Sequence, residues 1–263
     1  MTKRVTAVLL AIIAALAMAA CGGSGGGGTT HAQGGGSGGG DLVVSAASSL
    51  TGAFTRYARS FGAVRYSFAG SDELAAQIRQ GVKPDVFASA NTRLPDALYR
   101  AGLVGRPVVF AGNRLVIAVP AGGTKIRGVA DLAQPGTTIA IGSASVPVGA
   151  YTRTVLGRLG APRSQAVLAN VRSEEPDVKS IVGKLVEGAV DAGFVYVTDV
   201  DATGGKLRAI ELPASLQPSV AYGAAVVTGA PHAAAARRFL AGLLHGAGAA
   251  DLRAAGFEPP PAG

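Results

Sequence analysis

LVVSAASSLTGAFTRYARSF, residues 42–61, decides the fold class. It begins with Leu42-Val43-Val44-Ser45, a short apolar run that ends in small residues and reads as a buried strand. Phe54, Tyr57, Ala58 and Phe61 then fall at i, i+3, i+4 and i+7, which lines one face of a helix. Outward from this stretch the alternation repeats. Val64 to Phe68 alternates and predicts a second strand. Ser71-Asp72-Glu73 opens a helix containing Leu74, Ala75 and Ile78 and ended by Gly81. Val86-Phe87-Ala88, after Pro84-Asp85, is a third strand. Strand, helix, strand, helix, strand implies a parallel α/β layer.

Toward the C-terminus, Leu115 to Val119 is another strand, and Pro120, Gly122 and Gly123 break the pattern. A second α/β series follows: strand Thr138 to Ile141, helix about Gly149 to Leu159, strand Val167 to Val171, helix about Lys179 to Glu187, strand Gly193 to Val197. After a break from Pro213 to Pro218 come a strand, Val220 to Val227, and a helical stretch, His232 to Leu244. Two α/β lobes joined by extended segments is the architecture this pattern predicts. Lobe one takes residues 41–119 with 220–263, and lobe two takes 120–219.

Toward the N-terminus the composition changes. Lys3 and Arg4 precede an apolar run from Val5 to Ala20, the layout of a signal peptide over residues 1–20. The only cysteine, Cys21, follows directly and has no partner for an internal disulfide. Leu16-Ala17-Met18-Ala19-Ala20-Cys21 resembles a lipobox, which implies a lipidated Cys21. Acyl chains would hold the body at a membrane surface without a spanning helix. Residues 22–40 are almost all Gly and Ser, so 21–40 reads as a lipidated cysteine and a flexible tether.

Several function classes are disfavoured. Formal charge is +8, but the bases are scattered and not interleaved with aromatics, against a nucleic-acid stripe. The histidines are His31, His232 and His245, and no metal-ligand spacing exists. No nucleophile elbow appears, and Asp85 and Asp199 read as turn or cap residues, so no enzyme is expected.

What remains are short polar segments where strands give way to helices: Ser45 to Leu50, Ala69 to Asp72, Ser145 to Ala150, and Asp177 to Lys179. A helix start leaves backbone N–H groups unpaired with the positive end of the dipole behind them. Several starts converging on one cleft would bind an anion without Arg or Lys. A serine alone at such a position is an ordinary N-cap.

The order of these segments resembles a known family, the molybdate-binding proteins of molybdate ABC transporters, from about Leu42 to Phe257. The resemblance is carried by Ala46 to Thr51, Ser67 to Ile78, Pro84 to Ala90, Gly112 to Val116, Val146 to Tyr151 and Gly193 to Tyr196. It implies a two-lobed periplasmic-binding-protein fold of type II, with an oxyanion held in the interlobe cleft. Five positions then follow as ligand donors: Ser49 and Ser71 by hydroxyl and backbone N–H, Val148 and Val178 by backbone N–H, and Tyr196 by its phenol. Ser48 adjoins Ser49, which leaves the choice between them open. The cargo would be molybdate or tungstate, with no cofactor and no metal held by direct side-chain coordination. The partners would be an ABC permease and its ATPase, with the protein a monomer on the outer face of the cytoplasmic membrane. Sulfate or phosphate binding on the same fold is the alternative, and a cell-surface enzyme a remote one. Asp72 is expected to turn outward and cap its helix, and hinge motion is expected near Pro120 and Val220.

Overall fold

A computed structural model describes residues 40–261. The readings of residues 1–39, including Cys21, lie outside the described residues. The chain forms two mixed five-stranded sheets, and these are the two lobes of a periplasmic-binding-protein fold. In chain order the first lobe contains β1 (Leu42–Ala47), α1 (Thr51–Phe61), β2 (Val64–Ala69), α2 (Ser71–Arg79), β3 (Val86–Ser89), α3 (Arg93–Arg100) and β4 (Val108–Asn113). The second contains β5 (Leu115–Pro120), β6 (Ile139–Gly142), α4 (Pro147–Arg158), α5 (Ala161–Ala169), β7 (Val171–Glu175), α6 (Val178–Val186), β8 (Ala192–Tyr196), α7 (Val197–Asp201) and β9 (Leu207–Glu211). The chain then returns to the first lobe with β10 (Val220–Val226), α8 (Ala233–His245) and α9 (Ala247–Ala254).

The two sheets are built alike. Their strand orders are β2-β1-β3-β10-β4 and β7-β6-β8-β5-β9. In each, the parallel strands feed helices on the layer faces, and one antiparallel strand is inserted directly after a crossover. β10 runs antiparallel to β3 and β4, and β5 runs antiparallel to β8 and β9. The residues of β1, β3, β5, β6 and β8 are almost all buried, as strands covered on both faces require.

Two sequence expectations are corrected. β5 belongs to the second sheet, so the first crossover is at Arg114, before Leu115 and not at Pro120. The periodicity of Leu115 to Val119 identifies a strand but carries no information about which sheet it joins. Val167 is helical: the expected strand from Val167 to Val171 is the end of α5 followed by β7. Gly160 (φ 81) and Pro162 start α5, while β7 is an edge strand with exposed Arg172 and Glu174 that hides its pairing from a hydrophobicity reading. Finally, α3, β4, β9 and α9 had no expectation at all.

Two polar clusters tie the frame together. Asp85 is buried and accepts from Val43 N at 2.8 Å, His232 N at 2.7 Å and His232 Nδ1 at 3.0 Å, pinning β1 to the start of α8. Burial alone would raise its pKa, but these donors outweigh it and hold the carboxyl below the ordinary value. At the first crossover Arg114 reaches Glu211 at 2.8 Å and Glu258 at 2.9 Å, one on each sheet's side of the junction. No helix among the described residues is long and apolar enough to cross a membrane.

Candidate functional site

The C-terminal ends of β1, β2, β6 and β7 deliver helix starts to one place between the lobes, and the end of β8 adds Tyr196. There is a cavity of about 20 Å³, lined by Ser49 and Ser71 from the first lobe and Val148, Val178 and Tyr196 from the second. All five candidate residues are therefore brought together, and Ser48 and Asp177 join them. A space of that size admits one compact group of a few heavy atoms, and a sugar or peptide is far too large.

Each donor is set by its local sequence. Ser71 is the first residue of α2 and is 1% exposed; its Oγ accepts from Ala90 N at 3.1 Å, which leaves the hydroxyl hydrogen free to donate. Ser49 lies in the 3-10 turn Ser48–Leu50 that β1 runs into, and its Oγ is 3.0 Å from the Tyr222 hydroxyl. The Ser48 hydroxyl donates instead across the lobes to Asp177 Oδ1 at 3.4 Å, so its hydrogen is already engaged. Val148 is the second residue of α4, after Pro147, whose missing N–H suits the first helical position. A Cβ at Gly149 would run into the carbonyl oxygen of Ser143, so only glycine lets the α4 start press against the end of β6. Val178 begins α6, where Asp177 caps the helix by accepting from Ser180 N at 3.0 Å. The N–H groups of Val148 and Val178 are thus among those that a helix start leaves unpaired.

Tyr196 ends β8 and precedes α7. It is 1% exposed, and its hydroxyl has no hydrogen-bond partner among the described residues. A buried phenol without a partner costs free energy comparable to a lost hydrogen bond, on the order of 1–3 kcal/mol, unless a ligand in the cavity accepts from it. Its ring packs edge-on against Tyr222 and Tyr151 at centroid distances of 5.8 and 6.4 Å. Burial holds the phenols of both Tyr196 and Tyr222 well above their ordinary pKa, so both remain neutral. Behind Tyr196, Asp199 accepts from its backbone N–H at 3.2 Å. Burial pushes the Asp199 carboxyl up to about 7, against the lowering effects of the Tyr196 N–H and of Lys179.

No lysine or arginine lines the cavity among the described residues. The one carboxylate that does, Asp177, accepts from Ser180 N and from the Ser48 hydroxyl, both through Oδ1. The expectation for Asp72 is corrected. It makes no capping bond at the start of α2, and its Oδ1 is buried at the lobe junction without a partner among the described residues. It does keep out of the cavity lining, and its place in the first turn of α2 sets it beside the helix's positive end. At the same junction Gly70 faces Pro176 of the other lobe, and a Cβ there would run into the Pro176 carbonyl oxygen.

Comparison with known proteins identifies the family. Residues 42–258 match the family described as bacterial extracellular solute-binding protein. This chain belongs to that family. The solute-binding protein is similar to the molybdate-binding protein ModA of Mycobacterium tuberculosis, 38% identical over 223 residues, which cover 82% of this chain and 83% of the relative. It is also similar to ModA of Escherichia coli, 28% identical over 198 residues, covering 70% and 76%. Among solved structures it is similar to the periplasmic molybdate-binding protein of Azotobacter vinelandii. That TM-score is 0.73 at 25% identity, with 84% of this chain and all (100%) of the other covered. The relatives are solute-binding proteins and not enzymes, and proteins of the ModA family work with ABC transporter permease and ATPase components.

Sequence reasoning placed Asp177 in a site segment without giving it a role, and it missed Tyr222 and Asn113 as parts of this solute-binding protein's site region. An Asp before Val178 and three residues before Ser180 is an N-cap pattern, which is the role Asp177 takes. Tyr222 and Asn113 carried none: both sit in apolar strands, and only the fold brings them to Ser49 and Thr198.

Proposed function

We propose that this protein captures molybdate outside the cytoplasm, between its two lobes, and presents it to an ABC import permease. Ser49, Ser71 and Tyr196 donate hydroxyl hydrogens, and Val148 and Val178 donate backbone N–H groups, so the dianion meets only uncharged donors. The observation that carries this reading is the buried Tyr196 hydroxyl, unpartnered among the described residues, in a small cavity whose other candidate residues are also donors. The names of the relatives support molybdate as the cargo.

Binding follows from the donor set. Hydrogen bonds to a charged group contribute roughly 1.5–3 kcal/mol each, and several together offset the desolvation of the anion only when the lobes shut out water. The five donors cannot accept an O–H, which favours molybdate and tungstate over hydrogen phosphate; among the described residues Asp177 is the one carboxylate lining the cavity that could accept it. Tungstate shares molybdate's charge and tetrahedral shape and binds in the same way. The protein performs no chemistry on its cargo and acts as a monomer, carried on the outer face of the membrane by lipid on Cys21, behind a signal peptide and ahead of the glycine-rich tether.

Calorimetric titration with molybdate, tungstate, sulfate and phosphate tests the assignment. Molybdate and tungstate should bind tightly and compete for one site. Tighter binding of sulfate or phosphate would replace molybdate as the cargo. Membrane fractionation of Cys21→Ala should find the protein released; retention would remove the lipid anchor.

A further inference from the structure

The cavity donors are themselves held by a second layer of hydrogen bonds, and one chain in it has a direction fixed by proton counting. Asn113, at the end of β4, is buried, and its Oδ1 accepts from the backbone N–H of Arg114 at 2.9 Å. A backbone N–H can only donate, so this bond settles which end of the amide is oxygen. The Nδ2 end therefore faces Thr198 Oγ1 at 2.9 Å and the Tyr222 hydroxyl at 3.5 Å. Tyr222 is 0% exposed, and its hydroxyl touches two polar atoms, Asn113 Nδ2 and Ser49 Oγ. An amide nitrogen cannot accept, so the buried phenol hydrogen has one acceptor left, Ser49 Oγ, at 3.0 Å. The Ser49 oxygen is then an acceptor toward Tyr222, and its own hydrogen is directed elsewhere, toward the cavity that Ser49 lines.

We propose that Tyr222, oriented by Asn113, is a positioning residue that makes the Ser49 hydroxyl an obligate donor to the bound oxyanion. This rests on Ser49 being a ligand donor, as read above. The same logic already operates at Ser71, whose oxygen is occupied by Ala90 N, so both serines are held with their hydrogens free. In the low-dielectric interior a chain of bonds running in one direction polarises each member and strengthens the last donor. The relay also spans the hinge. Asn113 closes β4 next to the first crossover, Tyr222 lies on the returning strand β10, and Thr198 belongs to the second lobe two residues beyond Tyr196. The geometry of Ser49 is thereby tied to the relative setting of the lobes.

A double-mutant cycle on the full-length protein tests this, with molybdate affinity read by calorimetry and folding checked by thermal melting. Ser49→Ala and Tyr222→Phe should each weaken molybdate binding by five- to fiftyfold. In the Ser49→Ala background, Tyr222→Phe should cost less than twofold more. A purely structural role for Tyr222 would give additive losses, and that result would overturn the relay. Full affinity in Tyr222→Phe alongside a weakened Ser49→Ala would also overturn it while leaving the cargo reading intact. Full affinity in Ser49→Ala would overturn the relay by removing Ser49 from the site. Failure of the unmodified protein to bind molybdate would strike the cargo reading itself. Should Tyr222→Phe melt before it can be titrated, Asn113→Ala serves in its place. Its loss should be smaller, and it should vanish in the Ser49→Ala background; persistence there would overturn the relay.

Discussion

The two lobes share a strand order but contribute different chemistry to the cavity. The first offers serine side chains, at Ser49 and Ser71, each with its oxygen already occupied by a neighbour. The second offers helix-start N–H groups at Val148 and Val178 and one buried phenol, Tyr196. Side-chain donors can be deleted by a point mutation. Main-chain donors survive any substitution that keeps the helix start in place. The comparison teaches that the same topology positions donors of both kinds, and that mutational sensitivity should be lopsided.

The largest effect should come from keeping the lobes apart. Gly70→Val places a branched side chain against the Pro176 carbonyl of the facing lobe, where backbone cannot yield. Gly70 has φ −58 and ψ 134, which any residue adopts, so lobe one should still fold. Overpacking typically costs about 1–3 kcal/mol and more where backbone cannot yield, which predicts a loss of molybdate affinity of about a hundredfold. Near-native affinity measured by calorimetry would show that the lobes need not meet there.

Next is Tyr196→Phe, which deletes a donor that has no other partner among the described residues. Its loss should be about 1.5–3 kcal/mol, roughly ten- to a hundredfold in Kd. Ser71→Ala should cost about 1–3 kcal/mol, since it removes a donor and strips Ala90 N of its acceptor. Unchanged affinity would take Ser71 out of the site. Val148→Ala should change affinity less than threefold, about 0.6 kcal/mol or less, because the N–H remains. A loss matching that of Tyr196→Phe would contradict the main-chain role and erase the contrast between the lobes.

The smallest effect on affinity is expected at Asp199, whose signature lies in stability. Its folded pKa of about 7 stands above the ordinary 3.8, so between those values the folded state holds a proton that the unfolded state has released. Stability therefore falls as pH rises from about 4 to about 7, and the cost is fully present above 7. Asp199→Asn should flatten that part of the melting-temperature profile. An unchanged profile would mean that Asp199 is ionised throughout.

Much of this was legible before any coordinates. The periodicity around residues 42–90 fixes β1 to β3 and α1 and α2, because buried strands and one-sided helices leave different spacings. The five candidate positions followed from the resemblance in segment order, and the structure sets each beside a helix start or strand end around one cavity. β9 escaped because its exposed Arg208 and Glu211 look like loop. The sheet membership of β5 escaped because pairing is a long-range property: Leu115 meets Tyr196, eighty-one residues away. Tyr222 was invisible as a site residue for the same reason, since its link to Ser49 spans 173 positions.

The placement of β10 has a consequence for biosynthesis. Lobe two is assembled from one continuous stretch, β5 to β9, whereas the sheet of lobe one lacks its fourth strand until Val220–Val226 has been made. A nascent chain can therefore finish the later half before the earlier one. In the interval β3 presents an open edge at Val86–Ser89, where unpaired N–H and C=O groups invite foreign strands. Truncation between Glu211 and Val220 should leave an intact second half fused to an aggregation-prone first one.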